Sequence, residues 1–168
     1  MNKLLIACFC LSLSAAAWAA DAPSRAVQQG MDKGFKTCAG ALDILVKSAN
    51  EDDTKYGHLG VWSVAAVDSH VFDTTTIQPF SDGTQIVAYS AVRSAEGKCD
   101  LTMTQILPVT KSSCTTLRES IFKDWKFLQD LGGVPLYERA DSPSLTVLLS
   151  PLSANGCLIV KRYVAFGQ

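Results

Sequence analysis

The chain has 168 residues, of which 48% are hydrophobic and only 18% are charged. That is enough apolar material for one globular core, and it excludes a disordered tail, a collagen-like rod and a highly charged scaffold. Lys and Arg total 15 against 16 Asp and Glu, a formal net charge of −1 with no basic run, so broad electrostatic binding to nucleic acid is not expected.

The first residues, Met1-Asn2-Lys3, carry one positive charge ahead of an apolar run from Leu4 to Trp18. This is the pattern of a secretory signal peptide. Ala17 and Ala19 fit an A-x-A cleavage site, so residues 1–19 are read as a leader and 20–168 as one mature domain. Asp21-Ala22-Pro23 ends the run, which is shorter than the roughly 20 residues a transmembrane helix needs. No stable membrane insertion is expected. Leu5-Ile6-Ala7-Cys8 resembles a lipoprotein processing box, but too little chain precedes Cys8 to engage a membrane. Cys8 and Cys10 are read as lost with the leader. No Asn-x-Ser/Thr sequon is present. The short leader then points to a Gram-negative periplasm.

In chain order, a helix is predicted over Ser24–Ala49, where Met31, Phe35, Cys38, Leu42, Leu45 and Ala49 recur every three or four residues. Gly30, Gly34 and Gly40 weaken it by up to about 1 kcal/mol each, or let it approach a sheet closely. Four strands follow as an antiparallel meander. Leu59–Val67 is expected to be buried on both faces, and Asp68-Ser69-His70 forms a turn into Val71–Gln78. Ser81-Asp82-Gly83 turns into Thr84–Arg93. In Cys99–Leu107, Cys99, Leu101, Met103 and Leu107 alternate with Asp100, Thr102 and Thr104, as a half-buried strand requires. A second helix is predicted over Ser113–Leu131, capped by Ser112 or Ser113, stopped by Gly132-Gly133, and packing Leu117, Ile121, Trp125 and Leu128 inward. Three strands complete the chain: Val134–Arg139, Leu145–Ser150 and Cys157–Phe166. No internal repeat is evident in the residues. The order helix, four strands, helix, three strands predicts an α+β fold with helices packed on an antiparallel sheet. Such a sheet can leave a face or an edge free for a partner.

The mature chain keeps Cys38, Cys99, Cys114 and Cys157. Four scattered cysteines in an exported domain predict two disulfides rather than a metal site, whose ligands normally come in close pairs. Cys99 opens the fourth strand and Cys114 follows its end, some 30 Å away at about 3.3 Å per residue, too far to bridge. If the second helix returns the chain and three strands follow, Cys157 arrives beside Cys99. The expected pairs are therefore Cys99–Cys157 and Cys38–Cys114.

Sites of chemistry are sparse. The two histidines, His58 and His70, belong to no metal motif. Asp68-Ser69-His70 is too compact for a Ser–His–Asp relay, which is assembled from separate segments, and no G-x-S-x-G elbow occurs. Glu51-Asp52-Asp53 lacks the alternation of a calcium loop. No phosphate loop and no C-x-x-C redox pair is present, so no cofactor is expected. The reading that follows is a non-catalytic periplasmic protein-binding module, not an enzyme. It would be an inhibitor or immunity protein, or an accessory of envelope or secretion machinery, with another protein as its partner. Glu51, Asp52, Asp53, Asp68 and His70 are the candidate contact residues. Two alternatives stand beside it: a carrier of a small apolar ligand between helices and sheet, and an exported hydrolase built on His70 or His58 with Asp68 or Asp73. The layout is similar in outline to several small exported α+β families, some immunity proteins among them, but fold alone does not imply function.

Overall fold

The computed structural model of the chain describes residues 22–49, 56–81, 83–153 and 155–168. The predicted leader, residues 1–19, and Glu51-Asp52-Asp53 lie outside the described residues.

The apolar stripe at the N-terminus forms two helices, α1 (Arg25–Met31) and α2 (Ala39–Ala49), rather than one. Gly34 breaks it. Its φ of 103° is open to glycine at little cost, and it turns the chain so that the Phe35 N–H donates back to the Gly30 carbonyl. Most of the stripe is still buried: Phe35, Cys38 and Leu42 are almost wholly enclosed, while Met31 is exposed. Gly30 makes the close approach to the sheet that a glycine permits. A Cβ there would lie 2.6 Å from the Phe72 ring.

The strands are β1 (Gly57–Val61), β2 (Phe72–Phe80), β3 (Gly83–Arg93), β4 (Cys99–Val109), β5 (Lys126–Leu131), β6 (Val134–Arg139), β7 (Ser142–Ser153) and β8 (Gly156–Ala165). Helix α3 (Cys114–Ser120) stands between β4 and β5. One antiparallel sheet holds all eight strands in the order β1-β2-β3-β4-β8-β7-β6-β5. The fold is thus α+β with an antiparallel sheet, but the order is two helices, four strands, one helix and four strands. No helix among the described residues is long and apolar enough to cross a membrane.

Two expectations fail for identifiable reasons. The predicted strand 59–67 is a short edge strand ending at Val61, with Leu59 and Val61 exposed. Trp62 then folds into the core, and Val67–Ser69 is a 3-10 turn. The predicted helix 113–131 stops at Ser120. Its start is as expected, since the Ser113 hydroxyl accepts the Thr116 N–H at the N-cap. Beyond it the Arg118 guanidinium donates to the carbonyls of Phe122 and Trp125 and stacks on Tyr137, holding the chain in a turn. Residues 126–131 then pair with β6. Gly132-Gly133 is not a helix stop but a two-residue hairpin, with φ of 65° and 90°. Positive φ at both positions is what the I′ turn needs.

That extra strand changes the disulfides. The bonds are Cys38–Cys99 and Cys114–Cys157, not Cys99–Cys157 and Cys38–Cys114. With four strands after α3, β8 runs antiparallel to β4 and beside it. Cys157 therefore sits opposite Val109, at the end of β4 remote from Cys99. There it meets Cys114 at the start of α3.

The same connectivity exposes a duplication that the sequence hides. Each half of the chain is a helical segment followed by a four-stranded meander. In each half a disulfide ties the start of a helix to the start of the last strand: Cys38 to Cys99, and Cys114 to Cys157. Placing Cys99 on Cys157 carries the pairs Ala91–Leu101 and Tyr89–Met103 onto Leu149–Ile159 and Val147–Lys161. The loops entering the two cysteines read Ser-Ala-Glu-Gly-Lys-Cys and Ser-Ala-Asn-Gly-Cys. A pseudo-twofold axis therefore passes through the β4–β8 seam, where Thr104 faces Arg162.

All three helices lie on one face of the sheet, because the axis is normal to it. One core cluster packs α1 and α2 against Phe72, Val87, Tyr89, Leu101 and Met103. A second packs α3 and Phe122 against Val147, Leu149 and Ile159.

Candidate functional site

Glu51, Asp52 and Asp53 lie outside the described residues. Asp68 acts locally. Its carboxylate accepts the backbone N–H groups of Lys36 and Thr37 and the Thr37 hydroxyl, all at 2.6–2.7 Å. These bonds, the Thr37 hydroxyl first, hold its pKa below the ordinary value, assisted by nearby Arg93. Asp68 thereby fixes the link between α1 and α2. His70 is exposed on the bend that enters β2. His58 is on β1, on the helix-bearing face, 6.5 Å from the Tyr56 ring. Asp73 is on the opposite face of β2 and accepts the Ser90 hydroxyl at 2.6 Å. Among the described residues no cluster of His, Cys, Asp or Glu could hold a metal ion.

The helix-bearing face has one unusual charge. Lys161 projects from β8 between Gln105 and Val147, level with the gap between the two core clusters. Burial disfavours its ammonium form and pushes its pKa below the ordinary lysine value.

The other face of the sheet has no helix on it among the described residues. Alternation decides which side chains it presents. Buried positions of β2, β3, β4 and β8 fall on Phe72, Thr74 and Thr76, on Val87 and Tyr89, on Leu101 and Met103, and on Cys157 and Ile159. Their neighbours in sequence point to the open side. The strand register aligns Ile77, Ile86, Ile106, Val160, Leu148 and Leu136 as one cross-strand row spanning six strands. Ile77 and Ile86 are 46% and 38% exposed. A second row beside it, at the same end of the strands, contains Pro79, Pro108 and Leu158. Each open-face position covers about 33 Å² at the strand spacing of ~4.8 Å and the two-residue repeat of ~6.8 Å. The apolar band formed by the two rows is thus about 300 Å², within the range of the largest patches on monomeric proteins, which are often functional.

The pseudo-twofold axis supplies an internal control. It carries Leu136, Leu148, Val160, Ile106 and Ile86 onto Asp73, Ser90, Thr102, Val164 and Ser144. All of those except Val164 are polar. The sheet therefore folds with Asp, Ser and Thr at equivalent places, and the apolar row is not a requirement of strand pairing. The row below it is mostly polar, running Thr75, Ala88, Thr104, Arg162, Thr146 and Glu138, with Lys126 3.3 Å from Glu138 at the far edge. Arg162 is exposed in its middle.

Sequence reasoning did not find this face, although a signal exists. Residues 99–104 of β4 alternate, but Ile106-Leu107-Pro108-Val109 is apolar on both sides, and so is Leu158-Ile159-Val160 in β8. Loss of alternation in a strand with only one covered face marks apolar side chains turned outward. No protein-family model matches the chain, and neither does any curated protein or solved structure.

Proposed function

We propose that the protein is an exported, non-catalytic protein-binding module, an inhibitor or immunity protein or an accessory of envelope or secretion machinery, and that it works by presenting the open face of its sheet to another polypeptide. The observation that carries this reading is the six-residue apolar row, four of whose five symmetry-related counterparts are polar. An exposed apolar band costs solubility and gives nothing to the isolated fold, so its presence at one end of the sheet alone argues for contact with a partner. The two disulfides are compatible with export to an oxidising compartment.

On this reading the contact surface is the open sheet rather than Asp68. The Asp68 carboxylate is already engaged by the α1–α2 link, so a partner would have to displace three local hydrogen bonds.

The test is affinity capture of the tagged protein from the periplasm of its own host, with wild type beside Ile86→Asp and Leu148→Asp. A protein recovered in stoichiometric amount by wild type and lost with both variants is the expected result. The same protein recovered equally by all three would overturn the assignment of the face. Recovery of lipid with no protein would favour the carrier.

A further inference from the structure

We infer that the polypeptide which occupies the open face is a second copy of this chain, giving a face-to-face sandwich of two eight-stranded sheets. The inference rests on the reading of that face as protein-binding and names the partner.

The face is self-complementary. The apolar row has three members on each side of the β4–β8 seam: Ile77, Ile86 and Ile106 on one, Val160, Leu148 and Leu136 on the other. A twofold axis parallel to the strands and lying along that seam keeps each row at its own height and exchanges the two sides. Ile106 then lies on Val160 of the second copy, Ile86 on Leu148 and Ile77 on Leu136. The apolar row is therefore matched to itself, most closely at the seam, as an isologous interface requires.

The charges of the adjacent row obey the same operation. Arg162 is opposite Thr104 across the seam, and Glu138 and Thr75 occupy the same row on β6 and β2. The axis sets Arg162 over Thr104 of the second copy and Glu138 over Thr75. No like charges are opposed in this row; Arg162 and Glu138 meet a hydroxyl, and Lys126 at the far edge is set over Leu59 of the outermost strand, β1. An axis at right angles to the strands, placed at the apolar row, would instead set Arg162 over Leu158 of the second copy and bury the charge against an apolar side chain.

The area is sufficient. The open-face positions in register across the sheet amount to about 900 Å² per copy at about 33 Å² each. A standard stable interface needs about 800 Å² per partner. Two sheets pack face to face about 10 Å apart with strands roughly 30° from alignment, so the residues nearest the seam make the closest contacts.

The experiment is sedimentation equilibrium of the oxidised protein, with two variants placed at the seam, Ile106→Asp and Val160→Lys. Wild type is expected at twice the monomer mass. Each variant alone is expected to dissociate at least about 100-fold more readily, because every dimer would bury an unpaired charge. Mixing the two variants one to one should restore the dimer, since the axis sets the introduced carboxylate opposite the introduced ammonium. Far-UV circular dichroism and intact disulfides in each variant establish that both fold. A wild-type monomer at about 100 µM, above the micromolar constants that interfaces of this size reach at their weak end, overturns the inference. So does a wild-type dimer that the variants leave intact or that mixing fails to restore. The periplasmic capture experiment reads separately: a monomer that still loses its partner on Ile86→Asp leaves the protein-binding reading standing without the second copy.

Discussion

Gly30 and Gly40 receive the same substitution with opposite expected results. In Gly30→Ala the new Cβ would lie 2.6 Å and 2.7 Å from two carbons of the Phe72 ring. Ordinary carbon contacts are about 3.5–4.0 Å, so one side must move by about 1 Å. Phe72 has no room to do so. It is fully buried, stacked 4.6 Å from Phe35 and 6.2 Å from Trp62. Overpacking of this kind costs about 1–3 kcal/mol. The gain in helix propensity offsets up to about 1 kcal/mol and is smaller here, near the end of α1. The expected net loss is about 1–2 kcal/mol. In Gly40→Ala the Cβ meets nothing within 4 Å. Only the entropy and propensity terms remain, reduced at the second residue of α2, for a gain of up to about 0.5 kcal/mol. Urea denaturation of the oxidised proteins at neutral pH measures both. In the Phe72→Leu background the penalty of Gly30→Ala should shrink, and a double-mutant cycle reads that coupling. If Gly30→Ala stabilises as much as Gly40→Ala, α1 does not sit on Phe72.

The Asp68 carboxylate should make stability depend on acid. Its pKa is lowered in the folded chain, so its contribution is complete above the ordinary carboxylate value of 3.8 and is lost as pH falls through the lower folded value. Asp68→Asn should cost about 1 kcal/mol at neutral pH, and the difference from wild type should vanish in strong acid; urea midpoints falling in parallel for both proteins would contradict this. Non-reducing peptide maps should contain Cys38 joined to Cys99 and Cys114 joined to Cys157. Replacing Cys114 and Cys157 together by Ala should lower stability by about 2–5 kcal/mol while the other bond forms normally. A peptide joining Cys99 to Cys157 would refute the sheet order.

Much of the local structure is legible in the residues. β6 has the bounds expected from its sequence, and β3, β4, β7 and β8 differ from expectation only at their ends. Ser113 caps α3 as expected. These features depend on neighbours along the chain: alternation, capping hydroxyls and turn residues act over a few positions. Expectation fails where two local readings compete. Phe127, Leu128 and Leu131 suit a helix stripe as well as a strand, and Gly-Gly both stops helices and turns hairpins. The choice between them is made by pairing with β6 and by the contact of Phe127 with Tyr137 at 5.8 Å, both set by the strand that follows the hairpin.

Residue order alone establishes the helices-on-antiparallel-sheet class and four scattered cysteines, Cys38, Cys99, Cys114 and Cys157, suited to two bonds. It does not establish their pairing, because one extra strand reverses the direction of every strand after it and carries Cys157 from one end of β4 to the other. The open face emerges only on folding for the same reason. Ile77, Ile86, Ile106, Val160, Leu148 and Leu136 come from six separate strands with no shared local pattern, and the register of those strands draws them into one row. The two halves, too, differ in residues while keeping the same pairing geometry, since strand register constrains backbone positions far more tightly than it constrains the side chains on an uncovered face.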